Sequence, residues 1–255
     1  MDRGQSGNCT DKGEKDMAAG KKENRNADHR IRPVAYIHTD FPTKFGIPRQ
    51  SGLTGDLEAK IVFEPEFSSP EAVRGIEEFS HLWLIWEFSE NVRKPGNWSA
   101  TVRPPRLGGN TRVGVFATRS PFRPNPLGLS VVKLKRVEQL GNGAPVLVVT
   151  GADMMDGTPV FDIKPYVPFA DSHPEAKGGF TDQTKEYELA VEIPEELLGI
   201  LPEEKRDPLR VVLAQDPRPS YQEDPDRVYG MEFAGYEVKF TVSEKVLQVH
   251  SVMKT

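Results

Sequence analysis

The chain holds a single cysteine, Cys9, which excludes an internal disulfide and a cysteine-based zinc site and suits a reducing cytoplasm. Its five histidines (His29, His38, His81, His173, His250) show no HxH or HExxH spacing, so no structural metal is expected. No apolar run approaches the length needed to span a membrane, and no apolar h-region of a secretory signal lies in the first thirty residues. Residues 1–30 contain no Val, Ile, Leu or aromatic residue at all. They cannot bury enough apolar surface to offset chain entropy and are expected to be disordered. Nucleotide signatures are absent too. No G-x-G-x-x-G follows a strand, no Walker loop is present, and Gly141-Asn142-Gly143 reads as a hairpin turn. Without a G-x-S-x-G elbow or a cysteine in the folded part, nucleophilic acyl chemistry has no candidate.

The most informative absence is local. Between Asn91 and Arg136 there are ten Lys and Arg and no Asp or Glu. With a net charge of −5 over all 255 residues, the rest of the chain carries about −15. Such segregation points to a built anion site rather than general stickiness toward nucleic acid. Within it, Arg103 to Ser130 (RPPRLGGNTRVGVFATRSPFRPNPLGLS) packs five arginines, five prolines and four glycines into 28 residues. Proline fixes φ and glycine admits positive φ, which leaves little room for a helix. A rigid loop with a short strand over Arg112 to Thr118 is expected, ordered before it meets a ligand. The plainer alternative is a solvated basic loop, but that needs neither this density of Pro and Gly nor so strict an exclusion of acids.

Read in order, Val34 to His38, Lys60 to Phe63, His81 to Phe88, Leu129 to Glu138 and Pro145 to Thr150 are strand-like, and Asp156-Gly157 turns the chain into another strand. Ser69-Pro70-Glu71 opens a short helix to about Phe79. HLWLIWEF, His81 to Phe88, reads as a continuously buried strand with Trp83 and Trp86 as core. Helical signals follow at Pro194 to Ile200 and Pro202 to Leu213, and Phe233 to His250 alternates as a closing hairpin. About seven strands before residue 170 with little helix between them predict a mainly β protein. The expected organisation is a single-sheet antiparallel β-barrel over 31–170, followed by a small α+β domain over 171–255.

KFGIPRQSGL (Lys44 to Leu53), AVRGIEEFSHLWLIWEF (Ala72 to Phe88), the Arg103 to Ser130 stretch, DGTPVFDIKPYVPFAD (Asp156 to Asp171) and QDPRPSY (Gln215 to Tyr221) together resemble the TrmO family of tRNA adenine N6-methyltransferases. The resemblance implies methyl transfer from S-adenosylmethionine to N6 of N6-threonylcarbamoyladenosine, beside the anticodon of threonine tRNA. It also implies a β-barrel in place of a Rossmann domain, and a cytoplasmic homodimer with cofactor near the subunit boundary. Position by position, it places the cofactor at Pro48, Arg49 and Gln50, at Arg119, at Leu129, and at Asp156, Gly157, Thr158 and Pro159. A further contact falls at Ser89-Glu90, where many relatives have His-Gln; the departure bears on that contact alone.

The chemistry suits these residues. Arg49 or Arg119 can hold the cofactor's tail carboxylate by charge-assisted hydrogen bonds, and backbone groups of the Asp156 turn can read adenine. Arg103, Arg106, Arg112, Arg123 and Arg218 are then available for anticodon-loop phosphates, while Tyr166 and Tyr221 are stacking candidates whose plainer role is packing. Asp156 or Asp162 is a candidate acceptor for the N6 proton, although turn formation or an ion pair with Arg is the plainer role for either aspartate. Asn125, between two prolines, is a candidate substrate contact or a backbone cap. Two other readings fit parts of the pattern. One is a non-catalytic RNA-binding barrel using the same arginines. The other is a hydrolase using Asp156 and Asp162, which strand rise would set roughly 20 Å apart, too far to share a bond without a bend.

Overall fold

A strand in a closed barrel has a core side and an outer side, so its residues should bury alternately. The computed structural model describes residues 30–91, 98–104, 107, 110–183, 188–218 and 224–255; the expected disordered segment falls almost wholly outside them. In order come β1 (Ala35–His38), β2 (Glu58–Phe63), β3 (His81–Glu87), the short pair β4 (Thr101–Val102) and β5 (Val113–Gly114), β6 (Leu127–Gln139), β7 (Pro145–Thr150) and β8 (Thr158–Pro165). Six of them close into an antiparallel barrel in the order β1-β2-β7-β6-β3-β8. Ile37, Ile61, Leu82, Leu84, Leu147 and Val149 fill it.

Three local expectations change. β3 is buried on one face only, with Leu82, Leu84 and Trp86 inward and Trp83 half-exposed outside, where it packs on Tyr166 and donates Nε1–H to Asp171. The strand expected over Arg112 to Thr118 shrinks to two residues followed by a 3₁₀ turn at Val115–Ala117. The helix expected from Ser69 to Phe79 becomes two 3₁₀ turns, Pro70–Val73 and Ile76–Glu78. Ser69 does cap the first by accepting the Glu71 amide, but Gly75, at φ 82°, cannot continue it.

β7 is buried along its whole length, and the register explains how. Lys60 and Glu58 on β2 and Arg136 and Glu138 on β6 flank it from both sides. Across it, Arg136 forks onto Glu58 (2.8 and 3.0 Å) and Lys60 reaches Glu138 (3.1 Å), so their stems cover the outward Val146 and Val148.

The second half carries α1 (Pro168–Asp171), β9 (Ala190–Glu192), α2 (Glu195–Leu198), α3 (Glu203–Ala214), β10 (Tyr229–Phe233), β11 (Tyr236–Ser243) and β12 (Val246–Lys254). The hairpin expected over Phe233 to His250 is larger: β10, β11 and β12 form a meander, and β9 joins parallel to β12. Buried Leu209, Val212 and Leu213 of α3 belong to the core of this sheet, and so do Phe41 and Leu57 from the connection between β1 and β2. Barrel and sheet therefore share one compact unit, Pro33–Thr255, with two apolar cores. Among the described residues no helix is long and apolar enough to cross a membrane.

The Glu58 cluster makes stability pH-dependent. Hydrogen bonds from Arg136 and then Lys135 hold the Glu58 carboxyl down from 4.5 to about 2. A lowered folded-state value stabilises above the unfolded one, and that contribution fades as pH falls from 4.5 toward about 2. Glu58→Gln is therefore expected to be less stable than the parent at pH 7, with the difference shrinking on acidification, as read from urea unfolding at several pH values.

Candidate active site

Antiparallel order decides which loops can meet. The end of β1, the starts of β2, β6 and β8, and the ends of β3 and β7 all lie on one rim of the barrel. Three connections leave that rim: 39–57, 88–126 and 151–157. Every cofactor position inferred from the resemblance is on one of these connections or on the first residues of β6 and β8. A shallow recess of about 270 Å³ touches the rim only through His38 and Gly157. The site is a surface of converging loops.

The first connection has almost no regular structure, and the C-terminal sheet holds it. Phe41 packs on Phe233, with ring centroids 5.7 Å apart, and Phe45 stacks on Phe240 at 6.4 Å. Next to Phe45, Gly46 sits at φ 93° against Met231, and an added Cβ would lie 2.3 Å from the sulfur. At the near end, the Asp40 carboxylate pairs with Lys205 and its carbonyl accepts the Ala234 amide (2.9 Å). Farther on, Pro48 is buried. Arg49 donates its amide to Gln215 Oε1 (3.4 Å) and Nη2 to the Asp216 carbonyl (2.7 Å). The loop then returns to the barrel, where the Gly52 amide meets the Gly151 carbonyl at 2.8 Å. Lys44 reaches across to the Glu90 carbonyl (3.0 Å), which brings Ser89-Glu90 beside the same loop.

The arginines of the basic stretch divide into two groups. Arg119 is exposed and donates Nη1–H to Gln50 Oε1 at 2.6 Å, joining the second connection to the first. Arg103 is exposed, and Arg112 is exposed with one contact to Thr101 Oγ1. Arg123 instead turns back to donate to the Thr118 (2.6 Å) and Val115 (3.3 Å) carbonyls, fixing the turn between them. Arg218, grouped with the phosphate contacts above, is only 11% exposed and forks onto Asp216 at 2.8 and 3.0 Å. Its guanidinium is turned onto the protein, against a buried Asp216 whose own φ is 54°. Asn125 is exposed between its prolines. Arg106 and Tyr221 lie outside the described residues. Leu129 is exposed on the rim beside Gly128, whose missing side chain admits the Trp86 ring; a Cβ there would lie 2.2 Å from it.

The two candidate aspartates separate. Asp156 Oδ1 accepts the Thr39 amide (3.0 Å) and lies 3.2 Å from His38 Nδ1, so it builds the turn and stays on the rim. Asp162 lies farther along β8, accepting the Ile163 amide and pairing with Lys164 at 3.1 Å. The amides of Asp156, Gly157 and Thr158 are already engaged by the Phe41, Ile37 and Met155 carbonyls. The turn therefore offers acceptors rather than donors to a ligand. A third carboxylate was not foreseen as part of the site. Asp153 accepts the Ser130 hydroxyl (2.6 Å), which itself accepts Trp86 Nε1–H (3.0 Å), and it faces the Ser51 amide and Arg119. Burial raises its carboxyl above the ordinary value, against the opposing effect of those partners. Its signal was an acid inside the otherwise apolar Gly151 to Met155. No group of three or more His, Cys, Asp or Glu able to hold a metal ion occurs among the described residues.

With this geometry in view, the N-terminal domain profile of tRNA-methyltransferase O matches residues 36–172, and the C-terminal domain profile of TrmO matches 186–255. The chain belongs to the tRNA-methyltransferase O family. It is 40% identical over 230 residues to the Escherichia coli (strain K12) protein named tRNA (adenine(37)-N6)-methyltransferase, covering 86% of this chain and 95% of that one. A Pyrococcus abyssi relative carrying the name "Probable S-adenosyl-L-methionine-binding protein" is 39% identical, over 60% of this chain and 76% of its own. The crystal structure of TrmO from Pseudomonas aeruginosa superposes with a TM-score of 0.73 at 32% identity, covering 91% of this chain and all of that one.

The seating of the first loop on the C-terminal sheet can be tested at Gly46. Gly46→Ala meets Met231 and a disfavoured φ, and is expected to lower stability by about 1–3 kcal/mol. Denaturant unfolding reads that loss, and hydrogen exchange should show the Arg49 amide opening faster.

Proposed function

We propose that this methyltransferase holds S-adenosylmethionine on the barrel rim and methylates N6 of N6-threonylcarbamoyladenosine beside the anticodon of threonine tRNA, acting as a cytoplasmic homodimer. The observation that carries the reading is the hydrogen bond from Arg119 to Gln50, which ties together two of the three loops bearing the family motifs. The residues present fit the cofactor. Arg119 is exposed and keeps further N–H groups for a carboxylate, whereas Arg49 is held by Asp216 and acts as a brace. The carbonyls of Asp156 and Gly157 suit the amino group of an adenine, since the turn's amides are taken up by the fold.

When bound, the cofactor supplies an electrophilic methyl group on a sulfonium. The chain's part is alignment, which removes much of the barrier when the reacting atoms are held in line. Rim loops braced in advance by prolines, by the C-terminal sheet and by Arg123 lose little entropy on binding. N6 releases a proton as it is methylated. Asp156 is placed to accept it, with its second carboxylate oxygen on the rim and His38 at its side. Asp162 is ion-paired away from the rim, and the amide of Asn125 has no base strength at neutral pH. Arg103 and Arg112 face outward and suit anticodon-loop phosphates.

Purified protein incubated with S-adenosylmethionine and threonine tRNA, with or without threonylcarbamoyladenosine, is expected to add one methyl to the modified nucleoside alone, read by nucleoside mass spectrometry. Arg119→Ala should raise the cofactor KM about 10- to 100-fold, the effect of losing a charged hydrogen bond. Salt-sensitive tRNA binding with no methyl on either tRNA would replace this reading with a non-catalytic RNA-binding barrel.

A further inference from the structure

The basic connection carries aromatic surface that the folding of the loop does not use. Phe116 is 72% exposed and Trp98 is 48% exposed, although their ring centroids lie 6.3 Å apart at 35°. A loop that needed these rings for packing would cover them. Arg123, already fixed to the Val115 and Thr118 carbonyls, sets its guanidinium 5.9 Å from the centre of the Phe116 ring. Phe116 itself is held in the 3₁₀ turn Val115–Ala117, capped by the Thr118 amide and hydroxyl on the Val115 carbonyl. The ring is thus presented outward on a braced turn, three residues from Arg119 and within a stretch containing no acid.

From this placement we propose that Phe116, with Trp98 beside it, is a stacking platform for an unpaired base of the RNA loop that carries the target adenosine. The inference rests on the function proposed above and adds the group that would hold the loop open. Exposed aromatic rings among arginines fit nucleic acid because every base offers a π-face while the guanidinium groups meet phosphates and cap the ring. A second copy of this chain is the weaker occupant. In a two-fold interface the same patch meets itself, and here that would set arginines against arginines with no carboxylate between them. Among the described residues the ring contacts of Phe116 are with Trp98 and Arg123, which are not among the groups assigned to cofactor, so the platform governs RNA affinity and the unstacked state of the loop.

The test uses the full-length protein and an anticodon stem–loop RNA with 2-aminopurine in the loop. Titration of wild type should change the fluorescence as the base leaves its neighbours. Phe116→Ala should abolish that change and weaken binding roughly 5- to 150-fold, the effect of losing one base–aromatic stack. Its salt dependence should stay that of wild type, because phosphate contacts are untouched, whereas Arg112→Ala should flatten the slope. Phe116→Tyr should restore both signals. Unchanged affinity and fluorescence in Phe116→Ala, with wild-type methylation of threonine tRNA intact, would overturn the platform and leave the enzyme assignment standing. Sedimentation that shows Phe116→Ala converting a dimer to monomer at wild-type RNA affinity would hand the patch to a second copy. If wild type itself failed to methylate modified tRNA, the functional reading would fall and this inference with it.

Discussion

The seating of one irregular loop on a sheet from the other end of the chain is the contact on which the site depends. Residues 39–57 contain almost no backbone ladder of their own, so their conformation must come from side chains. Phe41, Phe45 and Ile47 insert into the core formed by Met231, Phe233, Val238 and Phe240. Polar clasps at Asp40 and Arg49 then fix both ends of the inserted segment. Burial of the two phenylalanine rings alone is worth several kcal/mol, at about 1.5–3 kcal/mol each. That offsets only part of the backbone entropy of the segment, about 1–2 kcal/mol per residue, so the polar clasps and the Gly52 contact with the barrel must add to it. The C-terminal sheet is therefore structural support for the rim.

Charge segregation follows a similar division. The arginines of one motif look alike in the sequence, yet Arg123 saturates backbone carbonyls that a Pro/Gly-rich turn leaves without ladder partners. Arg218 neutralises a buried carboxylate, and Arg49 braces the carbonyl beside it. Arg103, Arg112 and Arg119 remain turned to solvent. A buried charge stripped of its partner is costly, so the inward group is bound to its place by stability. The outward group is free to be selected for ligand.

What could be read in the sequence tracks how local its cause is. Strand positions were legible from β-rich runs bounded by turn residues, and the antiparallel barrel from about seven such strands with little helix between them, because both signals are properties of neighbouring residues. The charge segregation was legible because exclusion of acids from 91–136 is itself a sequence fact. The helix expected at Ser69 failed on Gly75, whose positive φ outweighs a good N-cap six residues earlier. The continuous burial expected of β3 failed because its aromatic outer face looks identical in sequence to a core face. Nothing local announces that Arg49 meets Asp216, 167 residues away, or that Asp153 meets Ser130 and Trp86. Those pairs exist only once the barrel has closed and the sheet has docked.

Closure itself shapes the chemistry. In a parallel α/β sheet, helix N-termini supply a ready anion site, and a dinucleotide-type fold uses them. In this antiparallel barrel Leu82, Leu84, Leu147 and Val149 pack the interior instead. The candidate ligand positions lie on the rim connections and the adjoining strand ends, and the connections need reinforcement from outside the barrel. The rim accordingly gathers a loop pinned to a second sheet, a proline-braced loop pinned by its own arginine, and a turn whose amides are consumed by its neighbours. Rigidity assembled from three independent sources is what an alignment-driven methyl transfer requires.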